Sequence, residues 1–384
     1  MPQKTPRGAD LIGASRLVIE AVAGVTELVE AVHMNVLERA IGTPAVKPIA
    51  GVTRLVYRSV KGVTRLVGGG LDAVLDRLQP LLGEPGWNGR EPMLAALNGV
   101  LGDRLALARN PLAIPMQFRR GGEALALQRV SGRVLVLVHG LCMNDLQWAR
   151  EGEGHGAALE QERGYSAVYL HYNSGRHISI NGREFAHNLQ ALVAQWPVPV
   201  EELVIVGHSM GGLVTRSACH YGALEQHTWP GFVRKLVFLG TPHHGAPLER
   251  GGNWVNLFTD LNAYSAPFSK LAKVRSAGIT DLRHGSVLDQ DWQDKDRFAQ
   301  GGLPLFLPLP PGVDCLAVAG TVGKEQGDLA DRVAGDGLVP LDSALGEHPD
   351  PARRLAMAHA VFVRTNHMEL LSSPAVRERL LAFL

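Results

Sequence analysis

The chain has 384 residues, 46% hydrophobic and 20% charged, a balance that excludes a disordered or fibrous protein and leaves room for a large core. Lys plus Arg number 38 against 37 Asp plus Glu, a formal charge of +1, so there is no global attraction to nucleic acid and no nucleic-acid partner is expected. Three scattered cysteines, Cys142, Cys219 and Cys315, form no CxxC pair, which argues against a disulfide framework or a cysteine zinc site.

The length suits one large α/β domain of about 250 residues plus an appendage, or two medium domains. The first residues lack the basic-then-apolar order of a signal peptide, and the apolar stretch from Leu17 to Val32 is broken by Glu20, Glu27 and Glu30. No run reaches the roughly 20 apolar residues of a membrane span. A cytoplasmic protein without a transmembrane segment is therefore expected, with attachment to a lipid surface left open.

Residues 1–115 read as an all-helical, amphipathic N-terminal region. Apolar residues recur at helical spacing over 9–42, 49–67, 71–82 and 91–108, punctuated by Thr43-Pro44, Gly68-Gly69-Gly70 and Glu84-Pro85-Gly86. The motif GVTELV starts at Gly24 and GVTRLV at Gly51 and Gly62, the last two copies 11 residues apart, which corresponds to three helical turns. At about 100° per residue, Arg54, Arg58, Lys61 and Arg65 share one face of 49–67, and Val52, Leu55, Val56, Val60, Val63, Leu66 and Val67 the other. Residues 43–70 hold five basic residues and no acidic one. Such a helix either packs its apolar face on the rest of the protein or lies on an anionic lipid surface.

After Asn110-Pro111 the pattern alternates short β-rich runs with helical ones. Strands are expected at Val134–Val138, Ala167–Tyr172, Leu203–Val206, Lys235–Leu239, Leu316–Ala319 and Ala360–Arg364, several of them nearly continuous apolar runs as strands buried on both faces are. The expected fold over 116–384 is α/β, a mostly parallel central sheet with helices on both faces. From about 245 to 312 the rhythm is lost in a stretch rich in Trp, Phe, Asn and Pro, which reads as a cap-like insertion over the carboxyl edge of the sheet.

The strongest chemical signal is Gly207-His208-Ser209-Met210-Gly211-Gly212, between the strand LVIV and a helical pattern. G-x-S-x-G at a strand-to-helix junction makes a sharp turn that exposes the serine hydroxyl, so Ser209 is the candidate nucleophile. A serine needs a base and an orienting acid, which in this arrangement follow in the order Ser, acid, His. His367, just after the last expected strand, is the candidate base. His359 lies at the wrong end of that strand, and His243 and His244 precede every acid candidate and read as pocket wall or hydrogen-bonding scaffold. Asp336, in the glycine-flanked loop Gly335-Asp336-Gly337, is the candidate acid, and Asp328, Asp331 and Asp342 are carboxylates close enough in the chain to compete with it. The oxyanion needs two main-chain donors. One is the N–H of Met210; the other comes from Leu141 or Cys142 in His139-Gly140-Leu141-Cys142, with Leu141 preferred.

HGL, GHSMGG, GTPHHGAP, GDGLVP and TNHMELL, in this order and each at a strand end, resemble the α/β-hydrolase superfamily, and within it the bacterial lipase/esterase branch and the related GPI-inositol-deacylase-like serine esterases. The resemblance spans about 116–384. It implies a Ser209–His367–Asp336 triad with Leu141 and Met210 as oxyanion donors, an esterase or lipase acting on a small-molecule or lipid ester, and no cofactor. His367 is followed by Met368-Glu369-Leu370, unlike the calcium-ligand pattern of some secreted bacterial lipases, so no calcium or other metal is expected. The same triad would serve amide or thioester hydrolysis or acyl transfer. A reading of another class is a lipid-surface or storage-granule-associated protein that binds through its N-terminal helices.

Overall fold

The computed structural model describes residues 90–149, 152, 154–246, 276–294, 303–323 and 335–384. The helices expected over 9–42, 49–67 and 71–82, with the basic face of the second, lie outside the described residues, as do Asp328 and Asp331.

Among the described residues eight strands form one sheet: β1 (Gln117–Arg120), β2 (Glu123–Ala124), β3 (Arg133–Val138), β4 (Ser166–His171), β5 (Glu202–His208), β6 (Val233–Leu239), β7 (Asp314–Thr321) and β8 (Ala358–Val363). Their order across the sheet is β2-β1-β4-β3-β5-β6-β7-β8. β3 to β8 run parallel, and β1 pairs antiparallel with both β2 and β4. The six parallel strands are those expected from the sequence. RVLVLV, ELVIVGH and DCLAVAGT are apolar almost without interruption because both of their faces are covered. β1 and β2 were not anticipated: QFRR and EA are short and mostly polar, β2 being an edge strand and β1 the strand inside it, and Phe118 alone is too little apolar pattern to betray them.

Seven described helices accompany the sheet: α1 (Arg90–Leu107), α2 (His155–Arg163), α3 (Ile178–Gln195), α4 (Met210–Leu224), α5 (Ala277–His284), α6 (Leu341–Ala344) and α7 (Pro374–Phe383). α1 was expected as a helix of the N-terminal region, and it packs on the sheet. Met93, Leu97, Val100, Leu101 and Leu105 are buried in one core with β3, β4 and β5. Asn98 fixes the chain that returns from α1 to the sheet, donating through Nδ2 to Leu112 O (2.8 Å) and accepting at Oδ1 from Ile114 N (2.9 Å).

α5 belongs to the insertion, where no regular element was expected. Ser276 caps it by accepting from Ile279 N (3.3 Å) and donates through Oγ to Gly99 O of α1 (2.6 Å). Its Asp281 is buried, and burial pushes that carboxyl's pKa up against the opposing pull of His177, whose Nδ1 is 3.0 Å away. Asp281 also accepts from Ile178 N (2.8 Å), the first residue of α3. The insertion is thereby anchored to the body at its described helix.

Candidate active site

β5 ends in the turn that carries Ser209. Ser209 has φ 54° and ψ −124°, a strained conformation for a residue with a side chain, of the kind that costs about 1–3 kcal/mol and persists where surrounding structure enforces it. Here the enforcement is visible: its N–H donates to Leu239 O of β6 (2.8 Å), and its carbonyl accepts from Gly212 N (3.1 Å) as α4 begins. The motif's glycines answer to close approach, since a Cβ on Gly211 would lie 2.2 Å from Val138 O and one on Gly207 2.6 Å from Gly212 Cα. Met210, as the first residue of α4, has an N–H with no acceptor inside the helix.

Asp336 and His367 come together behind Ser209. His367 Nδ1 is 2.6 Å from Asp336 Oδ2, and both side chains are buried. The other carboxylate oxygen, Oδ1, accepts from Leu338 N (3.0 Å) and Val339 N (2.9 Å), and the main-chain oxygen of Asp336 accepts from His367 N (3.0 Å). Both carboxylate oxygens are thus engaged. Because a carboxylate only accepts, Nδ1 of His367 carries the hydrogen and Nε2 keeps its lone pair. Ser209, His367 and Leu141 line one small cavity with Met143, Pro242, Ala246, Leu282, Leu338 and Val339. All but the serine and histidine are apolar. Leu282 comes from α5, so the insertion reaches the cavity wall.

Of the two loop residues able to supply the first oxyanion donor, Cys142 has its N–H committed to Ser174 Oγ (3.0 Å). That favours Leu141. His359 and Asp342 do not join the pair: the histidine is exposed at the start of β8, and the aspartate is exposed on α6. His243 and His244 tie the loop after β6 to α6. Their N–H groups donate to Ser343 O (3.1 Å) and Ser343 Oγ (3.1 Å), and His244 Nε2 lies 3.2 Å from Gly346 O.

Three further histidines escaped the sequence reading as site residues. His208 Nε2 lies 3.1 Å from His367 O, with the two rings 4.7 Å apart. His155 Nε2 lies 2.9 Å from Leu370 O, and His139 Nδ1 2.9 Å from Gly140 O. Burial holds all three imidazoles below their ordinary pKa, His139 at about 3 and His208 well below 6.5, where the nearby His367 adds to the effect of burial. Each is therefore neutral near pH 7, and the nitrogen that faces a carbonyl is the one that donates. His208 had a positional clue in its place inside GHSMGG, and His139 in HGL; His155 had none.

A family model described as a PGAP1-like alpha/beta domain matches residues 129–305, a segment that contains Leu141, Ser209 and Met210 and stops before Asp336 and His367. Among curated proteins none matches the chain. Among solved structures, a mature-form lipase of Bacillus licheniformis is 18% identical, with 70% of this chain and 98% of that chain covered and a TM-score of 0.42. A lipase-esterase related protein of Clostridium acetobutylicum is 13% identical over 70% of this chain and 99% of that one, with a TM-score of 0.37. These likenesses are distant, and the reading of the site rests on its own geometry. The order and sense of the eight strands are those of an α/β-hydrolase fold, and residues 129–305 are similar to the PGAP1-like alpha/beta domain.

Proposed function

We propose that the chain is a serine hydrolase that cleaves carboxylic esters through an acyl-enzyme. The observation that carries this reading is the 2.6 Å contact between His367 Nδ1 and Asp336 Oδ2 beside a cavity shared by His367 and Ser209. With Nδ1–H held by Asp336, the Nε2 lone pair of His367 takes the proton of Ser209 as its Oγ attacks the acyl carbonyl. The resulting imidazolium is stabilised by the buried carboxylate. The tetrahedral oxyanion is received by the N–H groups of Leu141 and Met210, donors that a transition state can use without reorganisation. His367 then protonates the leaving alkoxide, and water attacks the acyl-Ser209 ester in a second, mirror-image half-reaction.

The apolar walls formed by Met143, Leu282, Leu338 and Val339 suit the hydrocarbon part of an acyl group, because they offer no partner to a polar one. The test is hydrolysis of p-nitrophenyl esters of graded chain length by the full-length protein and Ser209→Ala, with fluorophosphonate labelling in parallel. The expected result is labelling and turnover in the wild type and neither in the variant. Equal turnover by both proteins would overturn the assignment.

A further inference from the structure

At the far end of α4, the helix that begins beside Ser209, two imidazoles converge on a single carboxylate oxygen. His187 Nε2 lies 3.0 Å and His227 Nε2 3.4 Å from Glu225 Oε2. One ligand atom from each of the three residues lies within 4.8 Å of the others. We propose that His187, Glu225 and His227 form a binding site for a divalent transition-metal ion, zinc fitting their donor set best, with a fourth position open to water.

The spacing agrees with a coordination sphere. Metal–ligand bonds of about 2.0–2.2 Å in a tetrahedron place neighbouring donor atoms roughly 3.3–3.6 Å apart; the 3.4 Å separation lies in that range, and the 3.0 Å one is a few tenths of an ångström shorter. Hydrogen bonding orients His187 for the same task. Its Nδ1 lies 3.1 Å from Arg183 O, an oxygen that only accepts, so Nδ1 carries the hydrogen and Nε2 turns a lone pair toward an anionic oxygen. Two acceptors at 3.0 Å need a cation between them, a proton or a metal ion. A backbone carbonyl on the second ring nitrogen is the usual way a protein orients a ligating histidine.

The donors are also held in place by the chain. Glu225 ends α4 with its N–H donating to Tyr221 O (2.9 Å), Gln226 turns the chain at φ 56°, and His227 N–H donates to Gly222 O (2.9 Å). From α3, Gln190 Oε1 accepts from Thr228 N (2.7 Å), bracing the following residue against the helix that carries His187. The carboxyl end of a helix favours a cation. One positive group stands nearby: Arg183 Nε is 3.8 Å from Glu225, but it faces Oε1 and pairs with Asp289, which leaves Oε2 to the imidazoles. The three donors are the imidazole and carboxylate type that suits zinc, nickel or copper rather than magnesium. The sequence gives no sign of this cluster, because Glu225 lies 38 positions after His187 and only the pairing of α3 with α4 joins them.

The site is roughly 22 Å along α4 from Ser209 at 1.5 Å per residue. A bound ion would therefore clamp α3 to α4 without entering the hydrolytic chemistry. The experiment is calorimetric titration of chelator-stripped, full-length protein with zinc chloride, then with magnesium chloride, alongside thermal unfolding. His187→Ala and Glu225→Gln are the comparison variants; His187 is more than half exposed, so its truncation leaves the core intact. The wild type is expected to bind one zinc ion that each variant has lost or binds at least about tenfold more weakly. Zinc should raise the wild-type Tm and leave that of the variants unmoved, while ester hydrolysis stays the same in all three. Identical zinc binding by wild type and variants, absence of zinc binding, or magnesium binding as tight as zinc would each overturn the proposal.

Discussion

Lowering the pH should destabilise this domain before its carboxylates titrate, and His139 allows the size of the effect to be worked out. Its ring is fully buried, stacked on Tyr172 with centroids 4.4 Å apart. Nδ1 donates to Gly140 O, and Nε2 faces the Tyr172 N–H at 3.4 Å as an acceptor. Desolvation, with His171 nearby, pushes its pKa down from 6.5 to about 3. The unfolded chain therefore takes up a proton near pH 6.5 that the folded chain refuses until about pH 3. Stability is complete above 6.5 and falls as the pH drops through that window, by about 1.36 kcal/mol per pH unit for this one group. The loss reaches about 2 kcal/mol at pH 5, set against the roughly 5–15 kcal/mol that holds a domain folded. His208 and His243, fully buried and shifted well below 6.5 by desolvation, act in the same direction. Asp281, whose carboxyl burial pushes up, works in the opposite sense at lower pH. The assay is urea unfolding of wild type and His139→Gln at several pH values from about 7.5 to 5. The wild-type free energy should fall with pH, and the variant, whatever its stability at pH 7.5, should show a slope shallower by about 1.36 kcal/mol per unit. A flat wild-type profile, or parallel profiles for the two proteins, would refute the reasoning.

Three substitutions probe the site itself. In Asp336→Asn the amide oxygen can still accept from Leu338 N and Val339 N while the amide nitrogen meets His367 Nδ1 and forces the wrong tautomer; kcat on a p-nitrophenyl ester should fall about 10⁴-fold at nearly unchanged Tm, and a fall of less than tenfold would count against the assigned role. Gly240 sits at φ 55° with an added Cβ 2.9 Å from Leu370 Cδ1 and 3.0 Å from both Asp336 Oδ2 and His367 Nδ1. Gly240→Ala should therefore lose about 1–2 kcal/mol to the left-handed backbone alone and lower kcat by prying the pair apart, whereas wild-type kcat in the folded variant would show that the pair is not needed in this arrangement. Leu282→Ala should cost about 2–5 kcal/mol of stability and shift the preferred acyl chain to greater length; an unchanged chain-length profile would remove Leu282 from the acyl pocket.

Much of this architecture was open to sequence reading for one reason: strands covered on both faces leave unbroken apolar runs, and most of β3 to β8 do. The short strands β1 and β2 leave none, because only Phe118 of β1 packs on the core and their pairing is carried by backbone groups common to every residue. The candidate nucleophile Ser209 and the helix after it were legible because the turn needs small residues at fixed offsets from the serine. Asp336 and His367 were chosen as candidates by chain order. Their contact, closed by Oδ1 accepting from Leu338 N and Val339 N, depends on a loop geometry that order does not encode. The allegiance of α1 was hidden for a related reason. Its partners are Cys142, Asn173 and Ser276, distant in sequence; Asn173 Nδ2 donates to Gly102 O (2.9 Å), and the small residues Gly99 and Gly102 that permit this approach look from sequence like helix weaknesses.

The histidines follow the same logic from the other side. A buried donor that must stay uncharged near pH 7 can be supplied by an imidazole, provided burial keeps it neutral. His208, His155 and His139 meet that condition and donate to the carbonyls of His367, Leu370 and Gly140. The first two hold the loop that presents His367, and the third holds the turn that precedes Leu141. Tyr172 adds a further tie, its hydroxyl donating to His139 O (2.8 Å). In the proposed mechanism a base and an oxyanion donor must each be held to within a fraction of an ångström of their working positions, and these main-chain ties would do that from behind, without occupying the cavity. The acid sensitivity worked out above is the consequence, because the groups that keep both loops in register are groups that the unfolded chain protonates first.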